Sequence, residues 1–332
     1  IEEAFGIENL RRRRRDLSAP GPLEVRVGFR AWSLNYRDYL VVTGAYNPKQ
    51  SLPLIPLSDA VGIVEEVGPS VTRVAVGDRV CPSFALGWIE GPLTRSVQTS
   101  TLGSPIDGVA ARQRIVPAAC LVKVPAHLSD REASTLPCAG VTAWNALFEL
   151  GDVGPGDTVL VQGTGGVSIL ALQLATMVGA RVIVTSSSEA KLERARALGA
   201  WRTINYREDP SWGRSARNMT SEGVDHVNEV GGAGTIEQSL AAVRAGGTLS
   251  IIGILDGAGG SFALTRVLMN AVRMQGVLVG SRGMFERLCR AIDVNEVRPA
   301  VDDRPFGFEE LPAALERMKA GAHFGKITLG DT

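Results

Sequence analysis

The run Asp157–Ala180, DTVLVQGTGGVSILALQLATMVGA, carries residues whose order implies chemistry. Thr158–Gln162 is a short apolar run of the kind that forms a buried parallel strand. Gly163, Gly165 and Gly166 follow, with Thr164 among them, and Val167–Val178 reads as an amphipathic helix. Arg181–Thr185 returns as the next strand. A glycine turn between strand and helix lets the backbone approach a pyrophosphate closely, and the new helix aims its first N–H groups at the phosphates. Ser168 stands where the usual fingerprint has its third glycine, and it is small enough to keep helix and strand close. A plain packing turn is the bland alternative. The strand–turn–helix–strand context favours dinucleotide binding.

The end of the second strand addresses which dinucleotide. Sites that hold an unmodified ribose diol place Asp or Glu there. Here the strand runs out through Thr185, Ser186, Ser187 and Ser188. Hydroxyls can donate to a 2′-phosphate that a carboxylate would repel, and Lys191 lies one turn into the following helix. This predicts NADP(H) over NAD(H). A serine N-cap on the helix Glu189–Leu198 is compatible with that role, and Glu189 is the residue that could instead serve NAD.

The 332 residues suffice for two domains with substantial cores. Lys and Arg number 35 against 35 Asp and Glu, so no global field favours nucleic acid or a membrane surface. Arg11–Arg15 reads as a solvated basic run. No apolar stretch is long enough to span a bilayer, and no signal peptide is visible in a chain that begins at Ile1. The scattered Cys81, Cys120, Cys138 and Cys289 form no paired motif, which predicts free thiols and a cytoplasmic location.

To about Leu136 the chain is rich in short strands and turns: Glu24–Phe29, Gly62–Val67, Arg79–Cys81, Ala111–Ile115 and Leu121–Lys123. This is the punctuation of a small barrel. From Thr158 strands alternate with helices. The later strands are Arg202–Asn205, His226–Glu229 and Thr248–Gly253, and Thr235–Val243 is a further helix. That alternation predicts an α/β chain with a doubly wound parallel sheet. Phe308–Lys319 reads as an amphipathic helix and Gly325–Leu329 as a last strand.

Several segments in this order resemble the medium-chain dehydrogenase/reductase superfamily: Leu34–Leu40 (LNYRDYL), Pro56–Gly62 (PLSDAVG), Val64–Val80, Pro137–Trp144 (PCAGVTAW), the glycine turn and Gly321–Leu329 (GAHFGKITL). The resemblance covers nearly the whole chain. It implies a GroES-like β-barrel catalytic domain over 1–136 and 281–332, interrupted by a Rossmann domain over 137–280. It also implies a homodimer in which the last Rossmann strands pair, with the apolar run Gln275–Val279 at that edge.

The zinc-binding members of this superfamily need thiolate and imidazole ligands. At the corresponding positions this chain has Asn35 and Ser58, the latter followed by Asp59, and keeps only Cys138. His127, His226 and His323 lie elsewhere, and the cysteine-rich structural zinc loop is absent. The resemblance is therefore to the zinc-independent branch of quinone oxidoreductase-like and enoyl reductase-like enzymes, with no metal expected. It implies that Thr142, Val230–Gly232, Gly253, Ile254 and Val279–Arg282, including Gly280 and Ser281, line the cofactor groove. Tyr206 matches a tyrosine of the 2′-phosphate pocket, and Lys326 matches a basic position near the pyrophosphate. The alternative reading of Lys326 is a surface lysine on the last strand.

The vacated metal position contributes Asn35, Tyr36, Asp38, Tyr46, Ser58 and Asp59. An amide or hydroxyl there could steady the charge that develops on a carbonyl oxygen, and Tyr36, Tyr46 or water could supply a proton. Asn35 and Asp38 could equally cap the helix after them, and Trp88 and Trp144 could be pocket walls or core. The expected activity is NADPH-dependent reduction of quinones or activated carbon–carbon double bonds. A metal-free alcohol dehydrogenase or carbonyl reductase, and a non-enzymatic NADPH-binding protein, are the alternatives.

Overall fold

A computed structural model describes residues 1–330. They divide into two compact units, Ile1–Val141 with the segment from Gly280 onward, and Thr142–Val279. Single helical turns aside, the first unit opens with β1 (Glu24–Ser33), α1 (Tyr36–Val42), β2 (Asp59–Val67), β3 (Arg79–Pro82), β4 (Gln113–Pro117) and β5 (Leu121–Lys123). The second unit runs β6 (Thr158–Gln162), α2 (Gly166–Met177), β7 (Arg181–Ser186), α3 (Glu189–Ala197), β8 (Arg202–Asn205), α4 (Trp212–Asn218) and β9 (Val224–Glu229). It continues with α5 (Ile236–Ala242), β10 (Val243–Ile251), α6 (Leu264–Met269) and β11 (Arg273–Gly276). The chain then returns to the first unit with α7 (Arg282–Val294), α8 (Leu311–Lys319) and β12 (Thr328–Gly330).

In the first unit the sheet order is β12-β1-β2-β3-β5, with β4 also on β1. All of these pairs are antiparallel. Their register places Ser33 opposite Asp59 on one side and Thr328 on the other. The residues just beyond β1, just before β2 and just before β12 therefore meet at one end of the sheet. The core beneath is built from Val25, Val27, Trp32, Leu34, Val64 and Leu329, with Phe306 and Leu315 packed on them.

The second unit is a parallel sheet in the order β11-β10-β9-β6-β7-β8. Its first strand, β6, is buried at all five positions. The order reverses between β6 and β9, and ligands of open α/β sheets bind outside the strand ends at such a reversal. Leu160, Ile183, Val227 and Leu249 form the core on one face, with Trp212 and Leu240 from the helices. β11 is an edge strand, and near it Leu264, Leu268 and Met269 are 70–80% exposed.

Several elements depart from the pattern of the sequence: α4 was not expected, β10 begins five residues early at Val243, β4 lies two residues later than Ala111–Ile115, and β12 begins only at Thr328. Helix α2 is apolar and buried on most of its faces rather than amphipathic, and it packs on β6 and β7. Helix α7, whose buried positions Phe285, Leu288, Cys289 and Ile292 recur at helical spacing, was not expected. The run from Phe308 opens as a 3₁₀ turn and becomes α-helical only at Leu311, with Pro312 in the first turn, where a missing N–H costs nothing. The basic run makes surface ion pairs, Arg12 with Glu309 and Arg13 with Glu2. Among the described residues no helix is long and apolar enough to cross a membrane.

His226 on β9 is 1% exposed and its Nε2 lies 3.0 Å from Asn228 Oδ1. Burial brings its pKa down to about 4, against the opposing pull of Asn228. The folded pKa lies below the unfolded one, so stability is complete above about pH 6.5 and declines as pH falls toward 4. The expected loss between pH 7.5 and pH 5 is about 2 kcal/mol. Urea unfolding at the two pH values should show this loss in the unmodified chain and not in His226→Gln.

Candidate functional site

Each unit gathers its own constellation of polar residues and turns. In the first unit the sheet register gathers Ser33, Asn35, Ser58, Asp59 and Lys326, all at most 9% exposed. Lys326 donates from Nζ to Leu34 O at 2.7 Å and to Asn35 Oδ1 at 2.6 Å, and lies 3.5 Å from Asp59 Oδ2. Asn35 Nδ2 donates to Ser58 Oγ at 3.2 Å, and Ser58 Oγ donates to Asp59 Oδ1 at 3.0 Å. Ser33 Oγ lies 3.3 Å from the other Asp59 oxygen, and donates to Ser134 O at 2.8 Å. Burial pushes the Asp59 carboxyl up, and Lys326, Asn35, Ser58 and the Cys138 backbone N–H pull it back.

Lys326 is neither a surface lysine nor part of the last strand. It is 2% exposed and sits in an isolated bridge with Val301, two residues before β12. Its ammonium is committed to the polar cluster because Asp59, fully buried, needs a cation beside it.

Asn35 is the N-cap residue of α1, but its side chain is turned to Ser58 and Lys326 rather than to the helix. Asp38 supplies the helix-start bond instead, accepting from Asn35 N at 2.7 Å. The other Asp38 oxygen, Oδ1, is buried with no hydrogen-bond partner. Burial and the Asp59 charge raise the Asp38 pKa to about 7. Tyr36 and Tyr46 are 42% and 44% exposed and stand outside this hydrogen-bond chain. The Tyr46 ring lies 4.7 Å from the Arg37 guanidinium, which also bonds Leu102 O and Thr101 Oγ1 and so ties Tyr46 to the loop around 101–104. Trp88 is buried with Nε1 on Gly91 O, and Trp144 bonds Glu149 and packs on Phe148.

In the second unit the glycine turn adopts the form that a phosphate cradle requires. Gly163 has φ +72° with open space where a Cβ would lie. Gly165 is the N-cap of α2 and brings no side chain to its first N–H groups. Thr164 is buried, and Gly166 and Val167 open the helix. Ser168 Oγ donates back to Gln162 O at 2.7 Å, so the serine tightens the turn. A Cβ on Gly253 would meet Val230 O at 2.6 Å, and one on Gly231 would meet Thr235 Oγ1 at 2.3 Å. Ile254 is 55% exposed.

At the end of β7, Ser186 Oγ accepts from Ser188 N, and Ser188 Oγ caps α3 by accepting from Lys191 N. Ser187 is half-buried. Tyr206 N donates to Ser186 O at 3.1 Å, which brings Tyr206 beside the serines. Glu189 is paired with Arg196 at 2.7 Å. Thr142 is buried, and Val279 holds φ +47°, a conformation strained for a β-branched residue. Its carbonyl accepts from Asn145 Nδ2 at 2.7 Å. Gly280 and Ser281 belong to the first unit, where Ser281 caps α7.

Gln162, Glu229 and Asn145 were not among the residues expected from the sequence. Gln162 and Glu229 each end a strand at or near the start of a glycine-rich turn, and a polar residue at that place is the signal that was available.

Comparison with known proteins accords with both units. Residues 21–126 match the alcohol dehydrogenase GroES-like domain family, and residues 166–293 match the zinc-binding dehydrogenase family. A zinc-type alcohol dehydrogenase-like protein of Schizosaccharomyces pombe is 42% identical over 93% of this chain and 91% of its own length. A 2-haloacrylate reductase of a Burkholderia species is 33% identical over 73% of the chain and 68% of its own length. A solved NAD-dependent alcohol dehydrogenase superposes with a TM-score of 0.90 at 32% identity, covering 100% of this chain and 98% of that one. The chain belongs to the medium-chain dehydrogenase/reductase superfamily, with a GroES-like domain and a Rossmann-type parallel sheet, and it is an NAD(P)H-dependent oxidoreductase.

The glycine turn fits a nicotinamide dinucleotide: open backbone at Gly163 and unspent N–H groups at a twelve-residue helix. The first-unit cluster does not fit zinc. Its donors are an amide whose oxygen already takes an ammonium, a hydroxyl that donates to Asp59, and the Cys138 thiol, whose pKa burial and the Asp59 charge push up. Among the described residues no three His, Cys, Asp or Glu side chains form a metal-holding group.

Replacing Lys326 by methionine would leave Asp59 buried without its cation. Lys326→Met is expected to cost about 3–5 kcal/mol at pH 8. Without the lysine the folded pKa of Asp59 rises further, and a raised carboxyl pKa costs stability only as pH climbs through and beyond the unfolded value, so the cost should shrink at pH 5. Denaturant unfolding at both pH values checks this, and a loss independent of pH would mean that Asp59 does not depend on Lys326.

Proposed function

We propose that this chain is a zinc-independent reductase that uses NADPH to reduce quinones or activated carbon–carbon double bonds, such as enones and enoyl compounds. The observation that carries the zinc-free part is the Lys326 ammonium, bonded to Asn35 and beside Asp59 where a metal's ligands would have to converge. A positive charge already fills the electrostatic role of a cation in that cluster.

The bound nicotinamide supplies a hydride. Gly163, Thr164, Gly165, Gly166 and Val167 hold its pyrophosphate, and Ser186, Ser187, Lys191 and Tyr206 receive the 2′-phosphate. Hydride addition to the β-carbon of an enone places negative charge on the carbonyl oxygen. Asn35 Nδ2, which keeps a second N–H beyond its bond to Ser58, is the donor of the cluster suited to that charge, since the Ser58 hydroxyl already donates to Asp59. Lys326 fixes the amide with its oxygen toward the ammonium and its NH2 toward Ser58. A delocalised enolate or quinol anion needs less stabilisation than the alkoxide of a saturated ketone, so neutral donors suffice without a Lewis acid. Tyr36, Tyr46 or water protonates the α-carbon. The relative named for reduction of a haloacrylate, an activated double bond, supports this class.

The relatives named as alcohol dehydrogenases favour a second reading, an alcohol dehydrogenase or carbonyl reductase, which the poor fit of the cluster to zinc would make metal-free. The four free cysteines suit a reducing, cytoplasmic setting. The exposed edge of β11 with Leu264, Leu268 and Met269 suits a homodimer in which two such edges pair.

Initial rates of NADPH oxidation over quinones, enones, enoyl thioesters and saturated ketones test the reaction class. Quinones or enones should turn over roughly tenfold faster than matched saturated ketones, a difference of about 1.4 kcal/mol in barrier. Asn35→Ala should lower kcat roughly a hundredfold with NADPH affinity unchanged. Faster turnover of saturated ketones would transfer the assignment to the second reading.

Cofactor choice is tested separately. Lys191→Ala should weaken NADPH binding by about 1–3 kcal/mol and leave NADH nearly unaffected. Equal affinity of the unmodified chain for the two cofactors would overturn the NADPH assignment.

A further inference from the structure

The second unit contains a buried polar bridge at the point where its strand order reverses. Gln162 ends β6 and Glu229 ends β9, the two neighbouring strands that flank this point. Val161 lies opposite Asn228, so the next residues, Gln162 and Glu229, stand side by side at the strand ends. Both are at most 4% exposed.

Their side chains are fully engaged, and both hold the turn after β9. Glu229 Oε1 accepts from Gly231 N at 2.8 Å, Gly232 N at 2.9 Å and Thr235 Oγ1 at 2.5 Å. Glu229 Oε2 accepts from Gln162 Nε2 at 2.8 Å and Ser239 Oγ at 2.5 Å. Gln162 Oε1 accepts from Val230 N at 3.1 Å and Gly231 N at 3.2 Å. The Gln162 backbone carbonyl takes the Ser168 hydroxyl from the first turn of α2. One residue thus anchors both the glycine turn after β6 and the Val230–Gly232 turn after β9.

A carboxylate held by five neutral donors is a costly thing to bury merely for packing, since an apolar pair would fill the space without loss. Its geometry has a different product. It fixes the N–H groups of Gly231 and Gly232 inward and locks the two turns to each other across the reversal.

We propose that Gln162 and Glu229 are positioning residues for the dinucleotide, a clamp that holds the two turns in one rigid cradle before the cofactor arrives. This rests on nicotinamide binding at the glycine turn. The clamp touches backbone rather than the 2′-phosphate end, so it contributes equally to NADPH and NADH. Because it acts as a unit, removing either member removes most of the effect.

Fluorescence titration of the full chain with NADPH and with NADH tests it without knowledge of the substrate. Failure of the unmodified chain to bind either dinucleotide would sink the cofactor reading itself. Given binding, Glu229→Gln and Gln162→Met should each raise both dissociation constants roughly tenfold, by the same factor for the two cofactors, with the double variant little worse. Gln162→Glu should bind weakly at pH 8, where two carboxylates face each other. It should recover as pH falls and the pair shares a proton. Two results would overturn the proposal: a lower Tm with unchanged affinity for both cofactors, or a Gln162→Glu affinity that ignores pH. If Glu229→Gln does not fold, the two Gln162 variants decide by the same criteria.

Discussion

The register of β1 is the constraint on which the first unit's chemistry depends. Ser33 is level with Asp59 across one edge and Thr328 across the other. A slip of one residue on either side would turn every inward side chain of that strand outward. Trp32, Leu34 and Leu329, all buried, hold the register by the core they would lose. With it held, Asn35, Ser58 and Lys326, nearly three hundred residues apart at the extremes, share one set of hydrogen bonds. The polar cluster is a consequence of hydrophobic pairing, and its internal bonds then select the orientation of the Asn35 amide.

Much of the architecture was legible because the periodicities are strong. β6, β5 and β8 follow the runs Thr158–Gln162, Leu121–Lys123 and Arg202–Asn205 without shift, since apolar or β-branched runs bounded by turn residues leave little choice. Helix α7 was less legible although its apolar positions are well spaced, because Arg282, Glu286, Arg287, Arg290 and Asp293 are interleaved with them and lower the mean hydropathy of the segment. The site was legible in part. Asn35, Ser58 and Asp59 stand out where other members of the superfamily carry ligands, and Lys326 stands out as a basic position near the pyrophosphate. That the lysine meets Asn35 and Asp59 is not visible in the sequence, because only the return of the chain to the first unit brings them together. Gln162 and Glu229 were hidden because a polar letter at the end of a strand reads as its solvent boundary, and only the neighbouring strand shows that two such letters face each other.

The two constellations solve one electrostatic problem in different ways. Asp59 is stabilised by a full cation, Lys326, together with hydroxyls. Glu229 is stabilised by backbone, amide and hydroxyl dipoles supplied by five separate groups. The first arrangement leaves one N–H of the Asn35 amide uncommitted in a charged setting, the group to which the proposed reduction assigns the reacting oxygen. The second commits its donors to the protein and so yields rigidity.

The division of the first unit around the second has a consequence for biosynthesis. Lys326 is made 185 residues after Val141, the last residue of that unit's N-terminal part. At ordinary elongation rates of about 5–20 residues per second, that interval is roughly 10–40 s. Throughout it Asp59 has no ammonium to meet, and β1 has an open edge where β12 will lie. The parallel-sheet unit, contiguous in sequence, can finish folding first. The first unit's sheet is complete only once β12 has been made, so its open edge and its unpaired Asp59 must wait on the synthesis of the whole second unit.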